Sequence, residues 1–157
     1  MEKLFIVRHG SYYPNGGCLT SSGQEDIQLL SKKIGRMCKG LKVRILTSPA
    51  PRGLESAKII AKQLHIKVEP HEVLWSEPGS GHDCDIEETL KLIQKVSATD
   101  VVILVTHLEY TDDLPHNFGH QVLGVTNFPF FQEINKGCAW FIDCVKKTCE
   151  LVEPYSN

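Results

Sequence analysis

Apolar and polar positions follow two rhythms along this chain. Leu4 to Val7 are four consecutive apolar residues inside Lys3–Arg8, which predicts a short buried strand. After a Gly-rich turn the rhythm changes to that of a helix, with Ile27, Leu30, Ile34, Met37 and Leu41 at helical spacing and Gly40 as the stop. Either Thr20 or Ser21 fits as its N-cap, and Ser21 with Gln24 has capping-box spacing. Val43–Thr47 reads as a second strand. Ser48-Pro49-Ala50-Pro51 opens a second helix, with Leu54, Ala57, Ile60, Ala61 and Leu64 on one face.

A third short strand is predicted near Lys67–Glu69, followed by a loop from Glu72 to Asp85. Asp85 with Glu88 repeats the capping-box pattern ahead of Ile86, Leu90, Ile93 and Val96. Val101 to Thr106 is a continuous apolar run of the kind buried on both faces of a sheet. Beyond Leu114 the pattern weakens. Gly137–Val145 and Cys149–Val152 read as two terminal strands joined through Lys146-Lys147. The βαβα order predicts one α/β domain over residues 1–157, a three-layer sandwich with a mainly parallel central sheet.

Composition narrows this picture. With 41% hydrophobic and 23% charged residues the chain is an ordinary globular sequence. Its net charge of −2 and lack of a long basic run give no expectation of nucleic acid or membrane as a partner. The four apolar residues after Lys3 are too few for a signal-peptide core, which places the expected location in the cytoplasm. The six cysteines then read as free thiols, with no C-x-x-C pair to suggest a zinc or redox site.

In parallel sheets, ligands bind beyond the carboxyl ends of the strands. Those ends hold Arg8 and His9, then Ser48 and Arg52, then His107. A transferring phosphoryl group spreads negative charge over its equatorial oxygens and needs fixed positive donors there, with a nucleophile in line. Arginine supplies a planar fork of donors, and an imidazole is substantially neutral near pH 7.

At these residues the chain resembles the histidine phosphatase, or phosphoglycerate-mutase-like, superfamily. The motifs stand here as Arg8-His9-Gly10, Leu19-Thr20-Ser21-Ser22-Gly23, Ser48-Pro49-Ala50-Pro51-Arg52 continuing to Ala57, and Thr106-His107 after its strand. The resemblance runs from residue 3 to about 110. It implies that His9 accepts the phosphoryl group, that Arg8 and Arg52 clamp it and that His107 donates to it. It also implies a phosphate contact from Asn15 and a general-acid role for Glu77. For Glu77 a solvated loop carboxylate is the competing reading, because Ser76 to Gly81 is short and Gly-rich. No cofactor or metal is implied, since two arginines supply the charge that a metal would.

The chain lacks the lid insertions of the family's mutases. Its size, and His107-Leu108-Glu109 where the mutases have His-Gly, are similar to the small bacterial phosphohistidine phosphatases. The expected substrate is a phosphohistidine in a protein. The alternatives are a small phosphorylated metabolite or an inactive phosphate-binding module. His82-Asp83-Cys84-Asp85 reads as a helix cap rather than a metal cluster, and the His116/His120 pair has no evident further ligand. Trp75, Trp140 and Phe128–Phe131 read as core or rim packing, and Tyr12 and Tyr13 as candidates for the site entrance.

Overall fold

The computed structural model describes residues 1–155. Its strands are β1 (Lys3–Arg8), β2 (Val43–Thr47), β3 (Val68–Pro70), β4 (Val101–Thr106), β5 (Ala139–Asp143) and β6 (Thr148–Val152). Its helices are α1 (Ser21–Met37), α2 (Pro51–Leu64), α3 (Ile86–Lys95) and α4 (Leu108–Phe118). The six strands form one sheet in the order β3-β2-β4-β1-β5-β6. The first four are parallel, and β5 and β6 add on as an antiparallel hairpin.

Period-2 alternation in β1 decides the layers. Leu4 and Ile6 pack on the α3/α4 side with Leu46, Leu90, Leu104, Leu114 and Phe118. Phe5 and Val7 pack on the α1/α2 side with Ile27, Leu30, Ile34, Ile45, Ala57 and Ile60. Each of these buried side chains contributes roughly 1.5–3 kcal/mol of transfer free energy if large. This is the predicted three-layer α/β sandwich.

Several local expectations are refined. Thr20, not Ser21, caps α1: its Oγ1 accepts from the Gly23 amide at 3.0 Å. Asp85 caps α3 by accepting from the Glu88 amide at 2.9 Å. The largest addition is α4, which begins directly after His107. It hides from a periodicity reading because Pro115 interrupts it. Pro115 has no N–H for the Thr111 carbonyl one turn earlier. The Trp140 indole N–H donates to that carbonyl instead, at 3.0 Å. Trp140 is thus a core residue whose polar atom repairs a helix on the neighbouring layer. The chain continues past α4 in a wider turn, Gly119–Leu123, and the His116 and His120 rings lie parallel. No described helix is long and apolar enough to cross a membrane. All six cysteines are free thiols.

Candidate active site

β1, β2 and β4 end side by side, so the residues that follow them converge. The parallel register pairs Arg8 with Thr106, and the His9 amide donates to the Thr106 carbonyl at 3.1 Å. His9, Arg52 and His107 are all buried. The His9 and His107 ring centroids are 5.1 Å apart.

The loop carrying His9 is fixed from below. The Gly10 amide donates to Ser56 Oγ at 3.0 Å, and that hydroxyl donates to the Arg52 carbonyl at 2.7 Å. A Cβ at Gly10 would stand 2.7 Å from the Gly23 carbonyl oxygen, so the first turn of α1 leaves room only for glycine there. His9 Nδ1 lies 2.9 Å from the Gly10 carbonyl oxygen. A carbonyl only accepts, so Nδ1 carries the ring proton and Nε2 keeps its lone pair. Burial pulls the His9 pKa down to about 4. Arg52, Arg8 and Lys136 push the same way, against the hydrogen bond to Gly10. His9 is therefore neutral at pH 7.

His107 Nε2 shares a 2.8 Å hydrogen bond with Ser48 Oγ, which also accepts from the Ala50 amide at 3.2 Å. With Ser48 donating, the ring proton of His107 is on Nδ1. Burial first, then His9, Arg52, Arg8 and His82, hold its pKa down to about 2.

The two arginines are held at one end only. Arg8 Nη1 donates to the Ile134 carbonyl at 2.6 Å and meets Glu133 Oε1 at 3.2 Å. Arg52 sits in the first turn of α2 with its guanidinium 4.7 Å over the Tyr12 ring. Nε of both arginines is buried without a hydrogen-bond partner. Buried unpaired donors are costly, and in a positive pocket an oxyanion is the partner that removes the cost.

These groups line a pocket of about 230 Å³ with Tyr12, Glu77, Glu109 and Lys136. Asn15 is not among them. It lies exposed in the turn between Tyr13 and Gly17. Glu77 does line the pocket. Its Oε1 is 3.5 Å from Arg52 Nη2, and its Oε2 accepts from Trp75 Nε1 at 3.3 Å. The Gly-rich loop holds it more firmly than its composition predicts. The Glu77 amide bonds the His82 carbonyl at 2.9 Å, closing a small hairpin, and the His82 ring stacks on Trp75 at 3.7 Å.

Lys136 escaped the sequence reading. Its Nζ lies 4.9 Å from the Tyr12 ring centroid. It precedes Gly137, whose amide donates to the carbonyls of both Arg8 and His9. No periodic pattern surrounds Lys136, so nothing in one sequence marks it. Among the described residues no group of three or more His, Cys, Asp or Glu is placed to hold a metal ion.

No protein-family model matches this sequence, and no curated protein matches it. Solved structures do. The protein histidine phosphatase SixA complexed with tungstate superposes with a TM-score of 0.73 at 16% identity, over 97% of each chain. A structure described as mycobacterial hydrolase 1 gives 0.68 at 14% identity over 99% of each chain. The native mycobacterial glucosyl-3-phosphoglycerate phosphatase gives 0.64 at 14% identity over 97% of each chain. Together with the sheet order and the strand-end constellation, this likeness establishes the architecture: the chain has the phosphoglycerate-mutase-like fold of the histidine phosphatases.

Proposed function

We propose that this chain is a metal-independent phosphatase in which His9 takes the phosphoryl group. The observation that carries the reading is the His9 ring itself. Its Nδ1–H is engaged by Gly10, and its neutral Nε2 belongs to a pocket with the buried Arg52, the half-buried Arg8 and His107. The Nε2 lone pair attacks phosphorus, and the bond to the leaving group breaks with its electron pair. Water then attacks the phosphohistidine, breaking the N–P bond and returning neutral His9 and inorganic phosphate. Arg8 and Arg52 hold the equatorial oxygens while charge moves onto them, and His107 donates from Nδ1.

The substrate proposed first is a phosphohistidine on a protein, with the enzyme acting in the cytoplasm. Both Glu77 carboxylate oxygens face donors, Arg52 and the Trp75 indole. Imidazole is a leaving group that needs little help from a general acid. A small phosphate monoester is the second reading, and the position of Glu77 inside the pocket favours it. An alkoxide leaving group needs a general acid, and Glu77 is the carboxyl nearest Arg52.

Rapid acid-free quenching with labelled substrate tests the common step. Base-stable, acid-labile label is expected on the wild-type chain and none on His9→Ala. Label surviving in that variant would remove His9 from the mechanism. Glu77→Gln separates the substrates. Phosphohistidine turnover is expected to change by less than about threefold, within the reach of one lost surface contact. A loss of roughly 10²-fold or more on both substrate types, the scale of a missing general acid, would assign the chain to monoesters.

A further inference from the structure

Charge is spread very unevenly along this chain. Ten of its 17 Lys and Arg residues lie between Ile27 and Val68, and Glu55 is the sole acid in that stretch. The small net charge conceals a dipolar surface. α1, β2 and α2 fold this stretch into one layer and the strand it covers, and they gather four of its cations at the end of the sheet away from His9. Lys32, Arg36, Lys39 and Lys62 are all exposed there. Among the described residues none of the four pairs with a carboxylate.

These side chains flank a groove between the last turns of α1 and α2. One part has a volume of about 420 Å³, and it continues through Lys32 and Gln63 into a second of about 610 Å³. Leu41, Val43, Leu64 and Ile66 line the first part and pack down onto the core. A cation in the last turn of a helix complements the helix dipole, which accounts for one at each helix end. It does not account for four around one apolar-floored groove.

We propose that this groove binds an acidic, partly apolar segment of another protein. The charge selects a polyanion, and the shape of the groove selects the class. Single-stranded nucleic acid asks for stacking aromatics, and an anionic bilayer asks for large apolar side chains that insert. The exposed large hydrophobic residues are Tyr13, Val122, Phe130, Phe131, Val145, Leu151 and Tyr155, all outside residues 27–68. What this face offers is a cationic rim over an aliphatic floor, which matches carboxylates alternating with aliphatic side chains. Ten residues of α2 separate Lys62 from Arg52, about 15 Å along the helix, so an occupied groove leaves the pocket free.

The test uses the full chain and a fluorescein-labelled synthetic peptide of repeating Glu-Glu-Leu. Binding is expected by anisotropy, falling steeply with salt, with amide shifts in an NMR titration confined to α1, α2 and the start of β2. Combined Lys32→Glu, Arg36→Glu and Lys62→Glu is expected to weaken binding at least about tenfold. Turnover of a small aryl phosphate should stay unchanged, which also reports that the variant is folded. The triple Gln variant should fall in between. No binding, shifts elsewhere, or affinity indifferent to the reversals would overturn the proposal. So would tighter binding of oligo-deoxythymidine or of phosphatidylserine vesicles than of the peptide.

Discussion

At the floor of the His9 pocket, His9, Arg52 and His107 are buried and locked by backbone carbonyls and by the hydroxyls of Ser48 and Ser56. At its mouth, Glu77 and Glu109 are half-buried and Lys136 is exposed. The floor is assembled from three strand ends of the parallel sheet, whose register leaves little freedom. The mouth comes from loops and from the first turn of α4. A group at the floor meets a weakly screened field, so under the proposed mechanism its removal is expected to fall on the transition state. A group at the mouth is screened by water and acts mainly on encounter and grip.

Arg52→Ala should show this contrast most strongly. A loss on the order of 10²–10³ in kcat is expected, with KM changing much less, by analogy with removing one oxyanion donor. Arg52→Lys should recover only part of it, because a point charge cannot reproduce the fork. A Lys variant with near wild-type kcat would place Arg52 outside the transition-state contacts. Ser48→Ala tests the same floor one step away from phosphate. It removes the partner of His107 Nε2, and one lost hydrogen bond of about 1 kcal/mol corresponds to roughly five- to tenfold in kcat. Lys136→Ala probes the mouth: KM is expected to rise about three- to fivefold with kcat nearly constant, and the effect should vanish in high salt. A kcat effect larger than the KM effect would move Lys136 to the floor.

The smallest expected change concerns pH. A histidine with its ordinary pKa of about 6.5 would lose most of its neutral form by pH 5. Burial holds His9 at about 4, so kcat/KM should fall less than about twofold from this group between pH 7 and 5. An acid limb centred near 6.5 would show that the ring is not buried as described. Stability carries the matching sign. Both depressed histidines bind protons more readily when unfolded, so folded stability should decline as pH drops below about 6.5. That decline continues through about 4 for His9 and on towards 2 for His107. His107→Gln should flatten it in urea titrations.

The floor could be read from the sequence because each of its residues follows a strand that announces itself. Val101–Thr106 is apolar throughout, and the layer pattern of β1 fixes where Arg8 and His9 emerge. The mouth could not be read in this way. Lys136 lies between α4 and β5 in a stretch without regular periodicity. Asn15 lies in an exposed turn outside the pocket lining, and its distance from Arg8 along the chain does not fix where its side chain goes. Glu77 was visible as a candidate, yet its bracing depends on a hairpin contact to His82 that composition does not encode. α4 was hidden for a related reason. The group that satisfies the Thr111 carbonyl left free by its proline is an indole 29 positions from Thr111 in sequence.

The stack of Trp75 on His82 gives the chain a built-in optical probe. There are two tryptophans, and Trp140 is enclosed in the core with its N–H bonded to Thr111. Trp75 instead shares its hairpin with Glu77 and gives that carboxylate its indole hydrogen bond. An oxyanion that draws Arg52 away from Glu77 alters the surroundings of one indole and leaves the other untouched. Emission from the unlabelled protein, with Trp140 as a constant background, therefore reports occupancy of the pocket. A Trp75→Phe chain serves as the blank for the titration.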